Sequence, residues 1–165
     1  MRLRHSAGWV GILCVAMLAV SRPAAAQFGL GLLAPAAPEV SVEQLKGWLA
    51  DPKTMEKTVV VDVRTEAEMA VSVIPGAITK ADYESKMNAD YRGKKVVVYC
   101  TVGGRSGAYA KQLAAKDVDV VNFKGSILAW VGAEQPLETL DRKPTKRVHT
   151  YNGRNRVPAS YEAVY

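Results

Sequence analysis

Residues 96–107 read VVVYCTVGGRSG, and this stretch decides the fold. The unbroken apolar run Val96-Val97-Val98-Tyr99 is the pattern of a strand covered on both faces. It passes directly into Cys100, then through Thr101 and Val102 to Gly103, Gly104 and Arg105. Arg105 and Ser106 stand at the start of a helical pattern that carries Ala110, Leu113 and Ala114 on one face. Two glycines let the chain curl with positive φ and bring successive N–H groups round to face one point. The helix start adds unpaired donors and the positive end of its dipole, and Arg105 adds a cation that stays protonated. Such a loop cradles an anionic sulfur, or an anion delivered beside it. A cysteine that merely fills a core needs none of these features.

Two more stretches have the same buried-strand character, Val59–Val63 before this loop and Val118–Phe123 after it. Between and around them lie helix signals. Ser41-x-x-Gln44 is a capping box leading the apolar stripe Val42, Leu45, Trp48 and Leu49, which ends near Asp51-Pro52. Thr65-x-x-Glu68 is a second capping box, Tyr83–Asn88 reads as helical, and Ser126–Val131 as a short helix. Pro75-Gly76 forces a turn before a short strand at Ala77–Thr79. Strands alternating with helices predict an α/β domain with a mainly parallel sheet, whose ligands sit beyond the carboxyl ends of the strands. That rule singles out two segments, the one after Val63 and the one after Tyr99.

Of 165 residues, 48% are apolar and 23% charged, ordinary values that exclude a fibre, a coiled coil or a wholly disordered chain. Residues 1–26 read as a signal peptide: a basic head at Met1–His5, an apolar run of 14 residues at Ala7–Val20, and Ala24-Ala25-Ala26 as a cleavage site. The run is short for a bilayer span, so the expectation is an exported protein, in the bacterial periplasm or secreted, with no stable membrane insertion after cleavage. Losing Arg2, Arg4 and Arg22 with the leader lowers the formal charge from +6 to +3. Residues 142–165 alone carry +5, so the basic character belongs to a tail and argues against nucleic-acid binding. Cleavage also removes Cys14. Cys100 is then a lone thiol in an oxidising compartment, where it must be either sealed or used. His149, the single histidine beyond the leader, is isolated, which supports neither a metal site nor a Cys–His base.

These motifs together resemble the single-domain rhodanese family of sulfurtransferases. The matching residues are Asp62-Val63-Arg64, the acidic Glu66 and Glu68, Ile74-Pro75-Gly76-Ala77, the loop Cys100–Ser106, and Gly125-Ser126-Ile127-Leu128-Ala129-Trp130. The resemblance covers about Ser41 to Pro136 and departs at Ser72-Val73, where the family has Gly-His. It implies a rhodanese-like α/β fold, a central parallel sheet of about five strands with helices on both faces. The implied organisation is a flexible lead-in at 27–40, the domain at 41–136, and a basic extension at 137–165. Val148–Tyr151 and Arg154–Val157 around Asn152-Gly153 suggest a hairpin within that extension.

The resemblance further implies a covalent sulfur transfer with no cofactor. Cys100 is the expected nucleophile, taking sulfane sulfur from a small anionic donor such as thiosulfate and passing it, through a persulfide, to cyanide or a thiol. Cys100 to Arg105 spans six residues, the loop length of the sulfur-transferring branch rather than the longer loop of the phosphatase branch. Arg105 is the expected donor-binding cation, with Thr101 and Ser106 as hydroxyl contacts, Ser106 equally a helix cap, and Val102, Gly103 and Gly104 forming the rim. Val102 makes that rim less basic, which predicts modest affinity for small anionic donors or a preference for a less charged sulfur donor. Asp62 and Arg64 are supporting residues, in contact with donor or acceptor or, on the favoured reading, a structural set in which Arg64 bridges to Glu66 or Glu68. Two alternatives remain: a binding or sulfur-carrier module without turnover, and redox signalling by the lone thiol. For the basic tail, the options are a cover over the cleft, a contact with an acidic protein partner, a dimer contact, or plain solvated surface.

Overall fold

Strands β1 (Thr58–Asp62) and β3 (Lys95–Tyr99) lie side by side and parallel, from Thr58 opposite Lys95 to Asp62 opposite Tyr99, at the centre of a computed structural model describing residues 36–165. β2 (Ile78–Thr79) pairs with β1, and β4 (Val120–Asn122) with β3, both parallel, giving the order β2-β1-β3-β4 among the described residues. The continuous valine runs divide by the period of two. Val60, Val97, Tyr99 and Val121 enter one core, and Val59, Val61, Val96, Val98 and Val120 the other. Helices α1 (Val42–Ala50), α3 (Glu66–Val71) and α6 (Ser126–Gly132) cover the first face through Leu45, Met69, Ile127 and Trp130. Helices α4 (Lys80–Lys86) and α5 (Gly104–Ala114) cover the second through Tyr83, Tyr109, Ala110 and Leu113. Each fully buried valine or leucine contributes about 1.5–3 kcal/mol of transfer free energy, so both faces resist being pulled open.

Both predicted capping boxes form, Ser41 with Gln44 on α1 and Thr65 with Glu68 on α3. Asp51 ends α1 and caps a short α2 (Pro52–Glu56) by accepting from Lys53 N–H. Among the described residues the sheet has four strands where about five were expected. The fifth position holds one parallel bridge, Glu39 beside Asn122, with Asn122 N–H donating to the Pro38 carbonyl at 2.8 Å. Pro38 has no N–H, so the pairing cannot extend into a ladder. The bridge also corrects the flexible lead-in: residues 38–40 are tied along the sheet edge, and Val40 is buried. The expected leader and residues 27–35 of the lead-in lie outside the described residues, among which no helix is long and apolar enough to cross a membrane.

The extension is packed onto the domain. Leu137 and Val148 are buried in the first core, and Val73 and Glu138 form an antiparallel bridge. β5 (Leu137–Glu138) pairs antiparallel with β6 (Pro144–Thr145), while β7 (Arg147–His149) pairs parallel with β8 (Glu162–Val164). The expected hairpin around Asn152-Gly153 is therefore wrong: residues 154–157 form no strand. The turn satisfies its own backbone groups instead, with Asn155 Nδ2 donating to the Thr150 carbonyl at 2.8 Å and Arg154 N–H to Asn152 Oδ1 at 2.9 Å. Pro158 then interrupts any ladder, and the partner for β7 arrives only at Glu162.

Candidate active site

Cys100 stands where β3 ends, and the loop after it is anchored from below. The Cys100 N–H donates to Ser126 Oγ at 3.0 Å, and the carbonyls of Cys100 and Thr101 accept from Ile127 and Leu128 N–H at 3.2 and 3.3 Å. Helix α6 has no side-chain cap, so loop carbonyls take up its first-turn donors and fix the loop to its end. Gly103 has φ +100°, and a Cβ there would collide with the Lys124 carbonyl. Only glycine fits this position, because it must adopt a left-handed conformation and lie against another backbone.

The curl brings donors to the sulfur. Gly103 N–H lies 3.1 Å from Cys100 Sγ, and Ser106 Oγ 3.6 Å. Burial pushes the thiol up. The backbone N–H and hydroxyl of Ser106 and the N–H groups of Gly103 and Val102 more than offset that, bringing it down to about 7 from 9.0. The residue is 1% exposed, yet it lines the floor of a cleft of about 240 Å³. Val102, 58% exposed, stands on the rim.

Ser106 takes neither of its two expected roles. Gly103 is the N-cap of α5, and Ser106 lies fully buried beneath the loop, its single hydroxyl proton within reach of Asn122 Oδ1 at 2.7 Å, the Gly103 carbonyl at 3.2 Å and the sulfur at 3.6 Å. Because α5 already begins at Gly104, the hydroxyl faces inward under the sulfur and contacts no cleft space. Thr101 and Gly104 do line the cleft, but the Thr101 hydroxyl is committed, donating to Glu68 Oε1 at 2.9 Å and accepting from Arg105 Nη2 at 2.8 Å.

Arg105 reaches the cleft already paired. Its Nη1 and Nη2 each lie 2.7 Å from a Glu68 carboxylate oxygen, a bidentate fork. The bond to Glu68 chiefly, and the nearby Cys100 sulfur as well, push the guanidinium up. Glu68 also accepts from Thr65 N–H at 3.0 Å. Burial raises this carboxyl, but Arg105, Thr65 and Thr101 together hold it well below the usual carboxylate range. The sequence marks Glu68 only as a capping-box and family residue. Its second role depends on α3 lying against the loop, which no local spacing reveals.

Asp62 and Arg64 form a buried pair away from the cleft. Arg64 Nη2 donates to Asp62 Oδ2 at 2.7 Å and to the Ser72 carbonyl at 2.6 Å, and the guanidinium carbon sits 5.8 Å from the Tyr99 ring centre. Burial lowers the guanidinium and Asp62 raises it, with a net upward shift. The expected bridge from Arg64 to Glu66 or Glu68 is absent, because Arg64 bends back to its neighbour two residues away and Glu68 is taken by Arg105. The pair holds the segment that carries Ile74, whose N–H donates to the Tyr99 hydroxyl at 3.1 Å.

Asn122, Ser126 and Tyr151 are given no place at the site by the sequence reading. Asn122, at the end of β4, and Ser126, at the start of α6, each hydrogen-bond to the loop from another element. Tyr151, from the extension, lines the cleft beside Asn155 and sets its ring 5.6 Å from the Arg105 guanidinium carbon. His149 takes no place at the sulfur; its Nδ1 accepts from Tyr151 N–H. No group of three or more potential metal ligands occurs among the described residues.

A family model for the rhodanese-like domain matches residues 41–133. The chain is 34% identical over 83 residues to a putative sulfurtransferase of Bacillus subtilis, covering 49% of this chain and 81% of that one. It is 32% identical over 102 residues to a sulfurtransferase of Allochromatium vinosum, covering 60% and 92%. A solved structure from Bacillus halodurans superposes with a TM-score of 0.53 at 23% identity, covering 62% and 77%, a likeness of fold. The doubly covered parallel sheet, the cysteine loop at its carboxyl edge and the family match over residues 41–133 agree: the chain belongs to the rhodanese-like family.

Proposed function

We propose that the protein is a sulfurtransferase that moves sulfane sulfur from thiosulfate or a related donor to a thiophilic acceptor through a persulfide on Cys100. The observation that carries this reading is the convergence of the Gly103 N–H and the Ser106 hydroxyl on Sγ, with the thiol brought down to about 7. The relatives named as sulfurtransferases support it. In the first step the Cys100 thiolate attacks the outer sulfur of thiosulfate. An S–S bond forms on Cys100, the S–S bond of the donor breaks, and sulfite leaves with the electron pair. In the second, cyanide or a thiolate attacks the outer sulfur and the Cys100 thiolate departs, restored. No external oxidant or reductant is needed, and the kinetics are ping-pong.

Acidifying the thiol from 9.0 to about 7 raises the thiolate fraction at neutral pH by roughly 50-fold, while nucleophilicity falls roughly 8-fold. The net gain is about 6-fold, on the order of 1 kcal/mol. Most of the acceleration therefore comes from donor placement and from loop amides aimed at the charge on the outer sulfur.

The test is intact mass spectrometry of the purified protein after thiosulfate. One added sulfur atom is expected, removed by cyanide with release of thiocyanate, and neither event is expected in Cys100→Ser. Turnover that persists in Cys100→Ser overturns the assignment of the nucleophile. A persulfide that forms and never discharges replaces the enzyme with a sulfur carrier. The export expected from the leader is part of the proposal, checked by N-terminal sequencing of the expressed protein for a start at Gln27.

A further inference from the structure

Tyr151 belongs to the C-terminal extension yet stands at the mouth of the cleft above Cys100. Its φ is +70°, a conformation that a bulky side chain adopts only when its surroundings impose it. The surroundings do so here. Tyr151 N–H donates to His149 Nδ1 at 3.1 Å, and the neighbouring Thr150 is fully buried, its N–H donating to the Val164 carbonyl at 2.8 Å. The residue itself is 63% exposed, so its ring is held out over the site by backbone geometry rather than by burial.

The role of the ring is set by charge. Arg105 is the cation lining the cleft among the described residues. Its positive charge is balanced by the two Glu68 oxygens, and the Tyr151 ring sits within cation–π distance of it. The exposed wall beside it is Val102. Once Cys100 ionises, the cleft carries a negative charge at its floor and no uncommitted cation to receive a dianion. An apolar group beside an incoming sulfur finds both an aromatic face and an aliphatic one.

We propose that Tyr151 is a specificity-determining residue that turns this site toward sulfane sulfur borne on an organic thiol, a persulfide R–S–SH with an apolar R group, and away from the thiosulfate dianion. The proposal rests on the sulfur-transfer reading above and names its donor class. In the step it implies, Cys100 thiolate bonds to the terminal sulfur of R–S–SH and the donor S–S bond breaks. The thiolate RS⁻ leaves with the pair and takes the terminal proton, giving RSH and the Cys100 persulfide anion.

The experiment compares benzyl persulfide with thiosulfate as donors, following the second-order rate of persulfide formation on Cys100 by rapid quench and intact mass. Wild type, Tyr151→Ala and Tyr151→Phe are measured, and the ratio between donors cancels their intrinsic reactivities. Tyr151→Ala is expected to slow benzyl persulfide by about tenfold, the equivalent of losing one aromatic contact, and to speed thiosulfate by uncovering Arg105. Tyr151→Phe is expected to keep the wild-type ratio. Equal changes for both donors, or none, would overturn the role of Tyr151 while leaving sulfur transfer intact. A wild-type protein that acquires sulfur from neither donor would overturn the sulfur-transfer reading itself, and this inference with it.

Discussion

Glu68 ties the site together, and replacing it with Gln tests that. The carboxylate accepts two bonds from Arg105 at 2.7 Å each, one from the Thr101 hydroxyl at 2.9 Å, and two from Thr65, N–H at 3.0 Å and Oγ1 at 2.9 Å. Glutamine keeps the shape but turns one acceptor oxygen into a donor that faces existing donors. Hydrogen bonds to charged groups contribute about 1.5–3 kcal/mol and neutral ones about 0.5–1.5 kcal/mol. The Arg105 side chain is 38% exposed, so water recovers part of the ion-pair loss. The expected destabilisation of Glu68→Gln at neutral pH is about 1–3 kcal/mol, or a fall of roughly 4–12 °C in Tm for a domain of this size. The pH dependence has a definite sign. The folded carboxyl lies below its ordinary value of 4.5, so its stabilisation is complete above that value and is lost as pH falls below it. Urea unfolding at about pH 7 and about pH 3 should therefore show a gap between wild type and variant that narrows in acid. A gap that is absent at neutral pH, or that widens in acid, would refute the reasoning.

The remaining contacts of the site give further expected outcomes. The pH profile of persulfide formation should rise through about 7 as Cys100 ionises. Ser106→Ala should move that midpoint upward by roughly 0.5–1 unit, since a 3.6 Å contact to the thiolate is lost while the backbone N–H groups stay; a downward shift would contradict the assignment. Asp62→Ala strips a buried Arg64 of its counter-charge and should cost about 3–5 kcal/mol in urea unfolding. The double replacement Asp62→Ala with Arg64→Met should recover much of that loss, and a recovery of nothing would show that the pair is not coupled.

Much of this molecule is legible along the chain because its information is local. Valine runs at 59–61 and 96–98 announce strands with two buried faces, and Ser41 with Gln44 and Thr65 with Glu68 announce helix starts from side chains three residues apart. Cys100, the two glycines and Arg105 lie within six residues, so their loop reads as an anion cradle before any tertiary contact is considered. The hairpin at Asn152-Gly153 fails for the opposite reason. A turn signal states where a chain reverses but not which strand it meets, and β7 finds its partner at 162–164.

The linear order of residues determined the doubly covered sheet, the two capping boxes and the proposed nucleophile, since each rests on a pattern a few residues long. Folding alone decided the rest. Glu68, 37 positions before Arg105 in the chain, neutralises it, Asn122 and Ser126 brace the sulfur loop from two other elements, and Tyr151 arrives from the extension to cover the cation. A charge in a loop is free or spent according to what packs beside it, and that neighbour is chosen by the burial of whole elements, which no short window of sequence contains.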